Sequence, residues 1–343
     1  PVALALVPQR LWNNMTQYLL AAIPLFIFMA SMLEKSGVIE EVFDVAYKWL
    51  GRIPGGLAVA TVVASTVLAA MVGVIGAAVV TMALVALPSM LRRGYSPVLA
   101  VGTVMAGGTL GILIPPSVLA IVYGLVANQS VGELYLGSVF PGLVLSGLYI
   151  LFSVGYALLN PKAAPRLSPE ETPTWSERWR ALRSIWSPLV LIFLVLGTIF
   201  LGLAAPTEAA AIGAFGAMVV AAIHRRLSWT ILRLALEQTA KATAMVMWIV
   251  FGANAFVGFY IAQGGDRYVS ELLLGTGLSP WGILLLMQGI LIVLGMFLDW
   301  VGILLLAVPV FVPIIRDLGF DPLWFGVLYL VNMQISFLSP PFG

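Results

Sequence analysis

A broken apolar segment occurs twice in this chain, and it constrains the fold more than any other feature. Residues 94–97 read GYSP and are followed by prolines 115–116, and residues 319–322 read GFDP and are followed by prolines 340–341. In both copies the last residue of the first motif lies 18 positions before the proline pair. Lipid tolerates a broken helix only where the break is buried in protein or lines a wet cavity. Interrupted apolar segments at matching places in two halves indicate the binding site of a secondary transporter.

The composition places these segments in a membrane. Hydrophobic residues make up 61% of the chain and charged residues only 9%, whereas a soluble domain carries about 25% charged residues. The apolar runs are much longer than a barrel strand of about 10 residues, so we predict an all-α integral membrane protein. The net charge of +2 is too small to indicate a nucleic-acid partner. The chain has no cysteine, which excludes disulfides and thiolate metal sites.

Apolar runs and one polar stretch divide the chain into five regions. We expect the natural chain to extend beyond both ends, because the first repeat continues well past its proline pair and the second stops there. Residues 1–50 are expected to form a span and an amphipathic arm at 38–50, and residues 51–126 a helical hairpin at 56–91 followed by the first broken helix. Residues 127–243 are expected to contain spans around a basic linker at 160–184 and an amphipathic segment at 229–241. Residues 244–275 are expected to form a span at 244–262 and a second arm, and residues 276–343 a second hairpin at 281–316 followed by the second broken helix.

The linker has its own local signal. Thr174 and Glu177 have the spacing of a capping box, which predicts a short surface helix carrying Trp175 and Trp179. We expect the basic residues of the linker to be solvated or to face lipid.

The distribution of lysine and arginine predicts the orientation of the two hairpins. If the first hairpin opens to the cytoplasm and the second to the outside, inside segments hold 14 of the 17 basic residues, in agreement with the positive-inside rule. This arrangement needs an odd number of crossings between the hairpins, so the repeats would be inverted. If each long apolar run crossed the membrane twice as two full spans, it would also return to its starting side, and the distribution of basic residues would be the same. The prediction of two re-entrant hairpins therefore rests on Gly73, Gly76 and Asp299, which interrupt the runs near their middles.

Hairpin tips and broken helices expose backbone groups that suit ions. Unwound carbonyls suit a hard cation such as sodium, and helix N-termini suit a carboxylate. The candidate cation-binding residues are Gly73, Val74, Gly111, Ile114, Pro115, Asp299, Ser339 and Pro340. The candidate substrate-binding residues are Gly76, Thr109, Pro116, Ser117, Trp300, Asn332, Gln334 and Pro341. Glycine and proline also mark packing and kinks in membrane helices, which is the structural alternative for both sets.

Two acidic residues have two interpretations each. Asp299 lies inside an apolar run, where an unpaired acid costs about 2.5–3.5 kcal/mol. It is a candidate sodium ligand, proton carrier or partner for a cation, and the alternative is a cap for the second arm of the hairpin. Thr207 and Glu208 begin a helix, with Thr207 as the expected N-cap and Glu208 as a favourable partner of the helix dipole. A gating role is the alternative for this pair.

Enzymatic motifs are missing from the sequence. It contains no G-x-x-x-x-G-K-[ST] loop and no H-E-x-x-H, and its one histidine cannot build a zinc site. We therefore predict no enzymatic activity, no cofactor, and no metal beyond a coupling ion.

At these residues the chain resembles the large membrane subunit of tripartite ATP-independent periplasmic (TRAP) transporters. The resemblance covers nearly all 343 residues. The matching stretches are residues 91–97, residues 108–117, residues 206–211, Asp299 after Met296, and residues 325–343.

The resemblance implies an elevator-type secondary transporter in a bacterial inner membrane, crossed many times. Hairpins and broken helices would form a mobile transport domain, and the other spans and the arms a scaffold. A small membrane subunit would complete the scaffold, and a periplasmic binding protein would deliver an organic acid, usually a carboxylate. A sodium gradient would drive uptake, with protons as the alternative coupling ion. The other hypotheses are a stand-alone carrier without a binding protein and a membrane scaffold protein that transports nothing.

The chain departs from the family pattern at both hairpins. Val72, Val74 and Ile75 surround Gly73 where serines are common in the family, and Trp300 follows Asp299 in place of a small residue or proline. A cation at the first tip would therefore depend more on backbone carbonyls.

Overall fold

Helices build the whole of the part described by the computed structural model, which comprises residues 8, 12–13, 15–73, 75–166 and 173–340. Short 3-10 turns occupy Tyr18–Ala21 and Leu110–Ile112. The α-helices are α1 (Ala22–Lys35), α2 (Val38–Leu50), α3 (Gly56–Val72), α4 (Ile75–Arg92), α5 (Pro97–Thr109), α6 (Val118–Ala127), α7 (Val131–Leu159), α8 (Trp175–Ser184), α9 (Trp186–Phe200), α10 (Pro206–Ile223), α11 (Trp229–Ala262), α12 (Gly265–Leu274), α13 (Pro280–Gly295), α14 (Trp300–Asp317) and α15 (Pro322–Leu338).

Helix length separates two kinds of segment. Five helices of the described part are long and apolar enough to cross a membrane, and the bent pair α8–α9 would add a sixth. The helices on either side of the predicted breaks are mostly shorter. For example, the 10 residues of α6 reach about 15 Å, half of a hydrocarbon core of about 30 Å. This is the length expected of a helix that ends at a break inside the membrane.

The predicted hairpins and the first arm are present as helices. Residues 56–91 form α3 and α4, residues 281–316 form α13 and α14, and the arm is α2. One prediction was wrong: residues 229–241 and 244–262 are not separate segments but one helix of 34 residues, α11. No proline interrupts it and its first glycine is Gly252, so nothing breaks the helix at the expected boundary.

The two halves of the chain meet at a pair of buried tyrosines. The rings of Tyr123 on α6 and Tyr329 on α15 lie 5.8 Å apart between centroids, and both side chains are fully buried. The hydroxyl of Tyr123 donates to the carbonyl of Pro322 at 2.9 Å. Helix α6 also packs against α14. The second part of the first broken helix is therefore joined to both the second hairpin and the second broken helix.

A cluster of ion pairs and hydrogen bonds joins the first arm, α2, to the spans α9 and α10. The Glu41 carboxylate lies 2.9 Å from Nη2 of Arg226 and 3.3 Å from Nδ1 of His224. Arg226 also donates to the carbonyl of Ser36 at 2.7 Å, and Nε2 of His224 lies 2.9 Å from the hydroxyl of Ser187. The cluster holds α2 against the ends of α9 and α10, which explains why an amphipathic arm stays in place.

We expect Glu41→Gln to lower the free energy of unfolding by about 1–2 kcal/mol. Removing one partner of a buried ion pair costs about 3–5 kcal/mol, and the 21% exposure of the Glu41 side chain reduces that cost. Thermal unfolding in detergent measures the effect. The control is Asp44→Asn, which breaks only the exposed pair with Lys48, worth about 0.3–0.5 kcal/mol. Equal losses in the two variants would contradict a structural role for the cluster.

Candidate functional site

The tip of the first hairpin sits directly on the first break. At the end of α3, Gly73 has a φ of +60°, in the left-handed region that favours glycine. Its carbonyl accepts a hydrogen bond from the N–H of Val118 at 3.4 Å. A side-chain carbon added at Gly73 would collide with the carbonyl oxygen of Pro116. The structure thus brings together Gly73 and Pro116. Pro115 is buried in the same break, and Val74 lies outside the described residues.

The break itself is a buried stretch, 110–117, between α5 and α6. Ser117 caps α6 by accepting from the N–H of Ala120 at 3.3 Å, and its hydroxyl donates to the carbonyl of Ile112 at 2.6 Å. The hydroxyl of Tyr135 on α7 donates to the carbonyl of Ser117 at 3.2 Å. The polar groups of Ser117 therefore hold the break in shape, and the candidates Gly111 and Ile114 are buried within it.

Both arms of the first hairpin approach α5 at neighbouring glycines. Gly107 faces Ser65 on α3, and Gly108 faces Val79 on α4, each so closely that an added side-chain carbon would collide. The hydroxyl of Ser65 is buried without a hydrogen-bond partner in the described part of the chain. Sequence reasoning missed Ser65, although a serine within an apolar run was a usable signal. Gly76, in contrast, is exposed and has open space at its α-carbon.

Thr109, the last residue of α5, was predicted to contact substrate. Its hydroxyl donates to the carbonyl of Ala106 at 2.9 Å, which is the local bond that threonine often makes inside a helix. The structure therefore places Thr109 at the edge of the first break with its donor already used.

Asp299 lies at the tip of the second hairpin. It is the N-cap of α14, and its carboxylate accepts from the N–H of Val301 at 3.1 Å. The carbonyl of Trp300 accepts from the hydroxyl of Tyr329 at 3.3 Å. The capping interpretation of Asp299 is confirmed. A further role for its negative charge stays a prediction.

The second tip packs against the end of the second broken helix, as the first tip does against the first. The α-carbon of Gly295 faces Ser336 on α15 so closely that an added side-chain carbon would collide with the hydroxyl. A narrow cavity at this contact is lined by Gly295, Leu298, Asp299, Trp300, Ser336 and Phe337. Ser339 and Pro340 follow shortly after Phe337 in the sequence. The hydroxyl of Ser339 donates to the carbonyl of Ile335 at 2.8 Å. Pro341 lies outside the described residues.

Buried polar side-chain atoms without partners occur on α13 and α15, the two helices that meet at this second tip. The side-chain amide of Asn332 donates to the side chain of Gln288 at 2.6 Å and to its carbonyl at 3.1 Å. Within the described residues, Oδ1 of Asn332, Nε2 of Gln288, both amide atoms of Gln334 and the hydroxyl of Ser336 have no hydrogen-bond partner. Each such atom costs about 1–3 kcal/mol if it stays unpaired. They are therefore candidates to bind water, a cation or substrate.

The ligand atoms available at this site determine which kind of cation would fit it. The described residues contain no group of three or more histidine or acidic side chains that could bind a transition metal. Neutral oxygens and a single carboxylate suit a hard cation of low charge. Sequence reasoning missed Gln288, whose position in an apolar run was the available signal.

The expected N-cap at the start of α10 was wrong. Ala205 is the N-cap, Pro206 is the first helical residue, and Thr207 is buried in the first turn. Proline favours that first position because its missing N–H would be unpaired there anyway. Glu208 reaches back to accept from the N–H of Ala205 at 2.9 Å, which confirms its interaction with the helix N-terminus. Helix α10 packs against α1 and α9, so this pair belongs to the spans.

The contact between Gly295 and Ser336 makes a prediction about stability. We expect Gly295→Ala to lower the free energy of unfolding by about 1–3 kcal/mol, because the added methyl group overpacks the tip. Gly289→Ala on the same helix is the control, since nothing lies within 4 Å of the added carbon. Thermal unfolding compares the two. Combining Gly295→Ala with Ser336→Gly should restore most of the loss, and no restoration would mean that the collision is not the cause.

Comparison with known proteins gives strong matches over nearly the whole chain. The family model described as "Tripartite ATP-independent periplasmic transporter, DctM component" matches residues 2–343. The chain is 35% identical over 335 residues to the C4-dicarboxylate TRAP transporter large permease protein DctM of Pseudomonas aeruginosa, covering 97% of this chain and 77% of that one. It is 29% identical over 342 residues to the sialic acid TRAP transporter large permease protein SiaM of Vibrio cholerae, covering 98% and 78%. The family resemblance seen in the motifs is confirmed.

A further relative and one solved structure broaden the picture. The chain is 29% identical over 340 residues to the 2,3-diketo-L-gulonate TRAP transporter large permease protein YiaN of Escherichia coli, covering 98% of this chain and 79% of that one. The crystal structure of the Alcanivorax borkumensis YdaH transporter has a similar fold, with a TM-score of 0.65 at 19% identity, covering 95% of this chain and 75% of that one. At that identity the likeness concerns the fold alone.

Proposed function

Because the chain belongs to the family of DctM components of tripartite ATP-independent periplasmic transporters, we propose that it imports a small organic acid across a bacterial inner membrane. In this proposal the chain is the large permease of a complex with a small membrane subunit. A periplasmic binding protein delivers the substrate, and a sodium gradient drives uptake.

One observation carries the proposal: each hairpin tip is packed against a helix for which the sequence predicts a break. Gly73 meets Pro116 at the first break, and Gly295 meets Ser336 just before the second. Helix ends carry partial charges of about half an electron, and each contact brings several helix ends together. Helix ends that meet inside a membrane can bind an ion and a charged substrate without a cluster of charged side chains.

The polar atoms divide the chemistry between the two tips. At the second tip, the unpaired hydroxyl of Ser336 lines the same cavity as Asp299, and unpaired Oδ1 of Asn332 lies one turn earlier on α15, which supports a cation and substrate site there. At the first tip no such side-chain oxygen is found among the described residues, since the unpaired hydroxyl of Ser65 lies about 12 Å further back along α3, so a sodium ion there would rely on carbonyls of residues 110–117. Asp299 would be the proton carrier if protons replace sodium.

The fold supports an elevator movement. The mobile domain would comprise α3–α6 and α13–α15, which are joined through Tyr123 and Tyr329. The remaining helices would form the scaffold, in which Glu41 and Arg226 hold the first arm. Each net positive elementary charge that moves inward gains about 2.3 kcal/mol per 100 mV, so the membrane potential contributes when the sodium ions carry more charge than the carboxylate substrate. That gain is large enough to drive accumulation.

The relatives support an organic acid as the substrate class. Three of them are named for C4-dicarboxylate, 2,3-diketo-L-gulonate and sialic acid, which all carry a carboxylate. We therefore propose a carboxylate, held by helix N-termini and the amide side chains near the second tip.

Uptake into proteoliposomes tests the proposal. The vesicles contain the full-length chain with its small subunit, and the medium contains a binding protein loaded with a carboxylate. We expect uptake only with both an inward sodium gradient and the binding protein. Uptake without the binding protein would favour a stand-alone carrier. Uptake driven by a proton gradient would mean that the coupling ion is the proton and not sodium. No uptake of any offered acid by a folded, inserted complex would contradict transport and favour a scaffold protein.

A further inference from the structure

The linker helix α8 lies at the end of a span and does not continue it. It meets α9 at an angle of 48°. Its start is fixed by a complete capping box, in which Thr174 donates from its backbone and its hydroxyl to the Glu177 carboxylate at 2.7 and 3.0 Å, and the N–H of Glu177 donates to the hydroxyl of Thr174 at 3.3 Å. These bonds lower the pKa of Glu177. The only acid of α8 is therefore used in holding the helix.

Three tryptophans join α8 to the first arm. The ring of Trp49 on α2 meets the rings of Trp175 and Trp179 edge-on, with centroids 6.0 and 5.7 Å apart. The indole N–H of Trp49 donates to the carbonyl of Arg178 at 3.3 Å. Trp175 and Trp179 are nevertheless 65% and 56% exposed. Exposed tryptophans at the end of a span are typical of the membrane–water interface.

Between these rings lies an arginine that is unusually buried. Arg178 is only 7% exposed, and its guanidinium carbon lies 5.2 Å from the centroid of the Trp175 ring. In the described residues, its Nε and Nη2 atoms have no hydrogen-bond partner. Arginine cannot lose its charge in a protein, and a buried unpaired charge is expensive. The ring over one face compensates only part of that cost.

The surrounding charges favour an anion as the missing partner. Arg178, Arg180 and Arg183 are the basic residues of α8, and Lys48 on the arm is close enough to act on Glu177. The predicted orientation places this basic region on the cytoplasmic side of the membrane. Anionic phospholipids of that leaflet attract such residues.

We propose that Trp49, Trp175, Arg178 and Trp179 form a binding site for the phosphate headgroup of an anionic phospholipid. Guanidinium and phosphate match in shape and bind through two parallel hydrogen bonds. Trp175, the more exposed ring, swings aside to admit the phosphate, and the tryptophans contact the upper acyl region. The bound lipid joins α8 to α2, which packs against α3 of the first hairpin. Through this site, the lipid composition of the membrane would affect the position of α2, against which the first hairpin packs.

Native mass spectrometry of the purified full-length chain tests the site. It measures the affinity for added phosphatidylglycerol and for phosphatidylcholine, and the ratio of the two is the readout, because a partly damaged fold affects both. We expect wild type to prefer phosphatidylglycerol and Arg178→Gln to bind it about tenfold more weakly. The exposed neighbour is the control: Arg180→Gln should change the ratio by less than about twofold. Arg178→Lys, which keeps the charge without the fork, should give an intermediate ratio.

Two outcomes would overturn the proposal. One is equal affinity of wild type for the two lipids, and the other is a preference that survives in Arg178→Gln. Glu170 and Glu171 lie outside the described residues and are, after Glu177, the acids nearest to Arg178 in sequence. If they supply the anion instead, wild type shows no preference and the double substitution E170Q/E171Q creates one.

Discussion

Replacing Gly73 with alanine is expected to lower the initial rate of uptake by about 30-fold or more while the chain still inserts. Two costs combine at this position. A side chain in the left-handed region costs about 1–2 kcal/mol, and the new methyl group collides with the carbonyl oxygen of Pro116, at a typical overpacking cost of about 1–3 kcal/mol. The hairpin tip must then leave the break, and the groups that both elements present no longer meet.

The measurement is sodium-driven uptake, normalised to the amount of monodisperse protein. Gly102→Ala on α5 is the matched control, because nothing lies within 4 Å of the added carbon and its φ is not positive. It should transport as wild type does. If Gly73→Ala also retained its full rate, the contact between the first tip and the first break would not take part in transport.

Asp299→Asn is expected to lower the initial rate of uptake by at least about tenfold, with little change in stability. Asparagine caps helices nearly as well as aspartate, so the bond to the N–H of Val301 can persist. What the variant removes is the negative charge beside the cavity of the second tip. Asp299→Ala loses the cap as well and should also lower the free energy of unfolding by about 0.5–2 kcal/mol. The two variants therefore separate charge from capping.

Asp321→Asn is the control for this experiment. Asp321 caps α15 in the same way, accepting from the N–H of Leu323 at 2.8 Å, but it is exposed. Its variant should transport normally. Full uptake by Asp299→Asn would show that Asp299 acts only as a cap, and the sodium or proton role proposed for it would be abandoned.

Much of the secondary structure could be predicted from the sequence because its signals are local. Apolar runs, proline pairs and a glycine at mid-run mark where helices begin and end, and α2, α8 and both hairpins are present at the expected places. The capping box of Thr174 and Glu177 was also predictable, since it depends on residues three positions apart. The errors at α10 and α11 were local too: Pro206 displaced the expected cap, and a polar stretch without a breaker stayed helical.

By itself, the sequence determined the membrane class, the first broken segment, the family and the positions of the candidate residues. Only the tertiary structure decided which of them meet: Gly73 with Pro116, Gly295 with Ser336, and Asn332 with Gln288. It also decided that Arg178 is buried among tryptophans. The physical reason is range. Helix formation depends on neighbours within a few residues, whereas these contacts join elements about 40 or more positions apart and exist only because the helices pack in one arrangement.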